Sequence, residues 1–191
     1  MSRDMLHMDE LKSLVRKAYR GIDADTSHVA CELYDQKQLA LVPESARSGA
    51  LGVGNHLRHA AIKPGEVVLD LGCGAGIDSV IAAHETGPSG RVIGLDFLPE
   101  MLEKTSRAAA EAGLANIETL EGEMESIPLP DDSVDHVISN GVINLSARKM
   151  RVLSECARVL RPGGRICVSD LTIEEKSLPP EVLTHPAAWA G

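Results

Sequence analysis

Glycines at alternate positions follow a short apolar segment in the stretch LDLGCGAGID, residues 69–78. They are Gly72, Gly74 and Gly76. Glycine adopts positive φ without steric cost and lets a ligand approach the main chain closely. A helical pattern begins near Ile77, and the start of a helix offers free N–H groups and the positive end of its dipole to a carboxylate or phosphate. The stretch therefore predicts a strand, a tight turn and a helix, with a ligand held at the turn.

Short apolar segments alternate with helical segments from about residue 60 onward. We expect strands over residues 66–72, 91–96, 116–121, 134–139 and 165–170, and helices over residues 77–86, 99–113 and 146–160. Strands that alternate with helices at this spacing form βαβ units and a parallel sheet with helices on both faces. The predicted fold class is therefore α/β, with a Rossmann-like, doubly wound and mostly parallel sheet. Such sheets bind ligands beyond the carboxyl ends of their strands, which is where the glycines lie.

The other segments flank this predicted core. Residues 1–60 are expected to form an N-terminal helix over 5–18, where apolar residues have helical spacing, and a loop-rich lid or connector over 21–49. Residues 61–172 form the predicted ligand-binding core, and residues 173–191 form the start of a C-terminal region.

An acidic residue, Asp96, closes the predicted second strand. At that position a carboxylate can accept both hydroxyl groups of a ribose. The dinucleotide fingerprint requires glycines in the pattern G-x-G-x-x-G, but Ile77 occupies the last of these places and the observed spacing is G-x-G-x-G. The turn therefore favours a nucleoside ligand other than a nicotinamide dinucleotide.

Charge and composition exclude several classes of protein. The net charge of −9 argues against nucleic acid as a partner, and no apolar run approaches the roughly 20 residues of a membrane span. The N-terminus lacks the apolar core of a secretion signal, so we expect a cytoplasmic protein. The cysteines form no CxxC pair, which predicts neither a metal site nor a disulfide framework.

Four ordered segments carry a family resemblance: VVLDLGCGAG, VIGLD, GEMESIPLPDDSVDHVISN and RVLRPGGRICVSD. In order and spacing they resemble the motifs of class I S-adenosylmethionine-dependent methyltransferases, over about residues 60–172. The resemblance implies that fold, transfer of a methyl group to a small-molecule acceptor, and S-adenosylmethionine as the cofactor.

The resemblance also implies roles for individual residues. The glycine loop, Gly72, Cys73, Gly74 and Gly76, would carry the methionine end of the cofactor, which Asp70 helps to position and Asn140 adjoins. Asp96 would bind the ribose. The adenine would be bordered by four residues: Phe97, Leu98, Glu123 and Met124.

A closer resemblance, to the arsenite methyltransferase group, is carried by SNGVINLSARK, LGVGN, YDQKQLALVPE and LTHPAAWAG. It implies trivalent arsenic as one candidate acceptor and adds Tyr19 to the cofactor-binding residues. Arsenite methyltransferases hold arsenic with cysteine thiolates, because a soft centre prefers soft ligands. The family pattern has cysteines where this chain has Val53 and Gly141, and a further cysteine after the WAG that ends at Gly191.

The substrate site is less constrained than the cofactor site. Cys31 is the only cysteine of the N-terminal segment and is predicted to bind substrate together with Asn144, while His56 is a candidate base. The alternatives that stay open are a neutral or anionic organic acceptor methylated on carbon, oxygen or sulfur, and a non-catalytic binding module that retains the cofactor fold. A displacement at a sulfonium needs mainly alignment, so no catalytic residue is assigned.

The end of the sequence departs from the family pattern. Family members continue after the fifth strand into a helix and two more strands, one of them antiparallel, and here these C-terminal strands are expected to be missing. The fifth strand would then form an open sheet edge, through which self-association is predicted.

Overall fold

The computed structural model describes residues 13, 15–17 and 25–172. Four short helices come first: α1 (Ser27–Leu33), α2 (Gln36–Leu41), α3 (Glu44–Arg47) and α4 (Leu57–Ala60). The alternating part follows: β1 (Val67–Leu71), α5 (Ile77–Thr86), β2 (Arg91–Asp96), α6 (Pro99–Glu111), β3 (Ile117–Glu121), β4 (Val134–Asn140), a 3₁₀ turn (Ile143–Leu145), α7 (Lys149–Val159) and β5 (Leu160–Ser169). Residues 13 and 15–17 are helical, whereas Tyr19, the rest of the predicted first helix and residues 173–191 lie outside the described residues.

The five strands form one parallel sheet in the order β3-β2-β1-β4-β5. The chain therefore winds outward from β1 in one direction and then returns to add β4 and β5 on its other side. This arrangement confirms the predicted fold class. It also places the reversal of strand order between β1 and β4, where open α/β sheets bind ligands.

Both faces of the sheet are covered, so the central strand β1 is apolar on both sides. Val68 packs with Ile81 of α5 on one face, while Leu69 packs with Val152 of α7 on the other. At roughly 25 cal/mol per Å² of buried apolar surface, these two layers supply the main driving force for folding. Because successive side chains of a strand point to opposite faces, a continuous apolar run was the expected sequence signature.

The prediction of a loop-rich connector over residues 21–49 is wrong for its described part, which is mainly helical from Ser27 to Arg47. The start of α2 shows why. The Asp35 carboxylate accepts hydrogen bonds from the backbone N–H groups of Lys37 and Gln38 at 2.9 and 3.0 Å, and the Gln38 amide oxygen accepts one from the Asp35 N–H at 3.2 Å. This reciprocal capping box stabilises a helix too short to show clear periodicity.

Strand β5 forms one edge of the described sheet and begins at Leu160, earlier than predicted. Its register with β4 is irregular between Leu160, which pairs with Val134, and Arg165, which pairs with His136. Ile166 and Val168 remain exposed on this edge. Self-association through the edge stays a prediction. None of the helices in the described part of the chain is long and apolar enough to cross a membrane.

Candidate functional site

A cavity of about 1070 Å³, including its part open to solvent, lies at the carboxyl ends of β1, β2 and β4. Its walls are the glycine turn after β1, the residues that follow β2, β3 and β4, and the loop over residues 49–52. The cavity therefore lies where the sequence predicted a ligand.

The glycine turn forms the floor of the cavity. Its three glycines have positive φ, +77° at Gly72, +54° at Gly74 and +89° at Gly76. A Cβ at Gly72 would lie 2.7 Å from a methyl group of Val142, and one at Gly76 would lie 3.0 Å from Thr105, so internal packing requires both glycines. A Cβ at Gly74 would meet no atom within 4 Å, so this residue lines open space where a ligand can approach the backbone.

Asp96 lies beside this turn at the end of β2. One carboxylate oxygen accepts a hydrogen bond from the Gly74 N–H at 3.1 Å, and the other accepts one from the Leu98 N–H at 3.0 Å. Burial raises the pKa of Asp96, and the backbone N–H groups of Leu98 and Gly74 oppose that rise. Each oxygen retains a free lone pair, so the carboxylate can still accept two hydroxyl groups.

The far end of the cavity is mostly apolar. Phe97, Leu98 and Met101 follow β2, and Met124 follows β3 on the opposite wall, next to Glu123. The guanidinium of Arg16 lies 5.7 Å from the centroid of the Phe97 ring, within the range of a cation–π contact. Apolar side chains therefore predominate at this end of the cavity.

Asp70, predicted to help position the cofactor, is buried beneath the turn and does not line the cavity. It accepts a hydrogen bond from the Ser79 hydroxyl at 2.5 Å. Burial, together with the neighbouring Asp78 carboxylate, raises the pKa of Asp70 to about 8. Asp70 therefore contacts the first turn of α5 through the Ser79 hydroxyl and does not face the cavity.

Asn140 lines the cavity, as do eight other predicted cofactor-binding residues: Gly72, Cys73, Gly74, Asp96, Phe97, Leu98, Glu123 and Met124. Its amide is occupied by the protein itself. The Nδ2 group donates to the Tyr34 hydroxyl at 3.1 Å, to Asp78 Oδ2 at 3.1 Å and to the Gly54 carbonyl at 2.9 Å. The Oδ1 atom accepts from the backbone N–H groups of Val53 and Gly54 at 2.9 and 3.3 Å. Asn140 therefore fastens the loop over residues 53–54 to the end of β4.

Two functional side chains were not predicted. Asp78 lines the cavity in the first turn of α5, and Tyr34, at the end of α1, donates its hydroxyl proton to Asp78 Oδ1 at 2.7 Å. Burial, together with the Asp78 carboxylate, raises the pKa of Tyr34. An acid in the first turn of a predicted helix was a readable signal. The sequence contains no comparable signal for the pairing of Tyr34 with a residue 44 positions away.

A further wall, beyond the glycine turn, is formed by Leu51, Gly52, Val142, Leu145 and Glu125. The Glu125 Oε1 atom accepts a hydrogen bond from the hydroxyl of buried Ser146 at 2.5 Å, and this bond orients the carboxylate. This wall was not predicted, because its residues come from three separate segments.

The predicted substrate residues are not part of this lining. Cys31 is exposed on α1, and the side-chain amide of Asn144, next to the lining residue Leu145, donates to the Leu171 carbonyl. His56 is buried with neither ring nitrogen bonded to a described residue, and burial lowers its pKa. A substrate role for Cys31 and Asn144 stays a prediction.

Val53 and Gly141, the two positions where the family resemblance expects cysteines, are neighbours in space. A Cβ at Gly141 would lie 3.8 Å from the Cβ of Val53 and 3.1 Å from its Cγ1. Gly141 has φ of +73°, a conformation that favours glycine. A pair of thiols at these positions would be adjacent, and this chain has an isopropyl group there instead.

The chain matches the methyltransferase domain family over residues 62–190. It is 45% identical to the arsenite methyltransferase of Halobacterium salinarum over 158 residues, which cover 83% of this chain and 40% of that protein. It is 41% identical to the demethylmenaquinone methyltransferase of Listeria monocytogenes over 110 residues, covering 57% of this chain and 46% of that protein.

A similar solved structure is CrArsM, an arsenic(III) S-adenosylmethionine methyltransferase from Chlamydomonas reinhardtii. The TM-score is 0.71 at 40% sequence identity, and the match covers 80% of this chain and 53% of that chain. The chain therefore spans about half, or less, of the length of these relatives. The matches confirm the family that the motifs predicted.

Proposed function

Because the chain belongs to the methyltransferase domain family, we propose that it acts as an S-adenosylmethionine-dependent methyltransferase of the arsenite methyltransferase type. Its acceptor would be trivalent arsenic or another small molecule. The observation that carries the proposal is the pairing of an open glycine, Gly74, with the Asp96 carboxylate in the cavity at the carboxyl ends of the strands.

The residues present fit the cofactor along its whole length. The open backbone at Gly74 lets the methionine end of the cofactor approach the main chain, and the Asp78 carboxylate in the first turn of α5 can accept from the ammonium group of that end. Asp96 has lone pairs left for the ribose hydroxyls, while Phe97, Met101 and Met124 supply apolar walls for the adenine.

S-adenosylmethionine supplies a methyl group on a cationic sulfur, so that the acceptor's lone pair bonds to the methyl carbon while the carbon–sulfur electron pair stays on sulfur. The protein's contribution to such a displacement is alignment and the exclusion of water. Asn140, Tyr34 and Asp78 hold the loop over residues 53–54 against the end of β4, and this fixes the wall that an acceptor would meet. No general base is needed where the nucleophilic atom carries no proton, as in trivalent arsenic or a thiolate.

The arsenic acceptor is supported by the 45% identity to the Halobacterium salinarum enzyme. An organic acceptor is the second candidate, favoured by the presence of Val53 and Gly141 as neighbours where a thiol pair is expected and by the similarity to a demethylmenaquinone methyltransferase.

Calorimetric titration with S-adenosylmethionine and with S-adenosylhomocysteine tests the cofactor part. Asp96→Ala should weaken binding by about 10- to 100-fold, the value of one or two charged hydrogen bonds. The matched control is Glu121→Ala, because Glu121 is the exposed register partner of Asp96 on β3 and does not line the cavity. If the folded chain binds neither ligand, the proposal is wrong. Mass spectrometry of arsenic species after incubation then tests the acceptor.

A further inference from the structure

The ionisable side chains of the described cavity lining are all acids. Asp78 and Asp96 flank the glycine turn, while Glu123 and Glu125 follow β3. Among the lining residues that the structure describes, none is lysine, arginine or histidine. Arg16, the cation above the Phe97 ring, lies at the adenine end.

For three of these acids, the side-chain hydrogen bonds that the described residues supply come from neutral donors. Asp78 accepts from a tyrosine hydroxyl and an amide, Asp96 from two backbone N–H groups, and Glu125 from the Ser146 hydroxyl. All of these donors are neutral. Carboxylates elsewhere in the described chain do pair with arginines, as Glu66 does with Arg165 at 2.7 Å. The charged side chains of the described lining are therefore all negative, while two cations outside the lining, Arg151 and Lys149, donate to the backbone carbonyls of Glu125 and Ser146 at 3.0 Å each.

This lining acts differently on a neutral and an anionic acceptor. An anion that enters a cavity lined by carboxylates loses hydration and meets like charge, so its binding is disfavoured. A neutral acceptor enters without that repulsion. When its lone pair bonds to the methyl carbon, the positive charge passes from the sulfur to the acceptor, and nearby carboxylates stabilise the charge as it develops. A protic acceptor then releases its proton to a carboxylate or to water, and the atoms and charges balance.

We propose that the methyl acceptor binds as an uncharged or cationic molecule, and that Glu125 is the specificity-determining residue that excludes anions. The inference rests on the proposed function and restricts the methyl acceptor to molecules without negative charge. Glu125 is the ionisable side chain on the wall formed with Leu51, Val142 and Leu145, and Ser146 fixes its direction. Trivalent arsenic belongs to this class because its hydroxide is uncharged at neutral pH, and so do amines, thioethers and quinols.

Three probes of similar size test this inference without turnover: benzyl alcohol, benzylamine and benzoate. Their affinities are measured by NMR titration of the full chain saturated with S-adenosylhomocysteine. We expect benzyl alcohol and benzylamine to bind at least about tenfold more tightly than benzoate. In Glu125→Gln, whose amide oxygen can still accept from Ser146, the ratio of benzyl alcohol to benzoate affinity should fall at least about threefold. Glu121→Gln, an exposed acid outside the cavity, should leave it unchanged.

The outcomes separate two kinds of failure. If S-adenosylhomocysteine does not bind, the proposed function fails and this inference fails with it. If it binds but benzoate matches benzyl alcohol, if no probe binds, or if Glu125→Gln leaves the ratio unchanged in a variant with an unaltered melting temperature, the assignment of charge selectivity to Glu125 is wrong and the proposed function still stands.

Discussion

The amide of Asn140 donates a hydrogen bond to the hydroxyl of Tyr34 at 3.1 Å, although 106 positions separate the two residues in the chain. This contact joins the helices before the sheet to the end of β4 at the wall of the cavity. The position of these helices and the shape of the site therefore depend on the same few hydrogen bonds.

Replacing Asn140 with alanine should therefore affect folding and binding together. The variant leaves the N–H groups of Val53 and Gly54 and the Gly54 carbonyl without their partner, so the free energy of unfolding should fall by about 2–4 kcal/mol. Urea denaturation measures this loss. Hydrogen exchange over residues 49–54 should accelerate, and S-adenosylmethionine should bind more weakly.

Asn116→Ala is the control for Asn140→Ala. The Asn116 amide donates to the carbonyls of Ala83 and Gly87 at 3.0 Å each, at the end of α5 remote from the cavity. It should lower stability without changing cofactor affinity in the folded protein. Equal cofactor affinities for the two variants would contradict the role given to Asn140.

Gly74→Ala should lower both the stability of the fold and the affinity for the cofactor, and a control variant separates the two effects. At φ of +54° an alanine costs about 1–2 kcal/mol of stability. Its methyl group would also project into the open space of the cavity, so cofactor affinity should fall by at least about tenfold. Gly113→Ala has a similar φ of +68° and equally open surroundings after α6, so it should show the stability cost alone. Calorimetry and thermal melting distinguish the two.

Asp70 should make stability depend on pH. Its pKa is about 8 in the folded protein, because burial and the Asp78 carboxylate disfavour the charged form. In the unfolded chain an aspartate ionises near 4, so between about pH 4 and pH 8 the folded state retains a proton that the unfolded state has released. Stability from this group therefore falls as the pH rises through that window.

Asp70→Asn removes this titration, and its amide oxygen can still accept from Ser79. Relative to wild type, the variant should gain stability steadily from pH 5 to pH 8 in urea denaturation. Asp135→Asn is the control. Its arginine and backbone partners hold the pKa of Asp135 below its usual value, so the difference from wild type should stay flat over the same range. A flat difference for Asp70→Asn would show that Asp70 is ionised in the folded protein.

The parts of the site that the sequence predicted are local in the chain. The glycine turn and Asp96 were predictable because each has a fixed position relative to the end of its own strand. The bond between Tyr34 and Asn140 was not, since no short-range pattern records which distant residues meet. Cys31 was predicted to bind substrate because it is the only cysteine of the N-terminal segment. That argument does not say which face of α1 the residue occupies. The α2 helix was missed although its capping box was readable in DQKQ.

The contact of Val53 with Gly141 leads to a prediction about arsenic. Val53→Cys with Gly141→Cys would place two thiols on Cβ atoms about 3.8 Å apart, close enough to chelate one trivalent arsenic under reducing conditions. The double variant should bind phenylarsine oxide with at least about a hundredfold higher affinity than either single variant, because chelation makes the second thiol intramolecular.

Titration of free thiols and mass spectrometry of the adduct measure this gain. Gly141→Cys alone carries the backbone cost at φ of +73°, so it controls for strain, and Val53→Cys controls for a lone thiol. If the double variant binds no better than the single variants, positions 53 and 141 do not converge on an acceptor. Another outcome is that the double variant chelates the arsenical while wild type binds it only weakly and forms no methylated arsenic. That result favours the organic acceptor, because wild type has Val53 and Gly141 where the thiols that hold arsenic would lie.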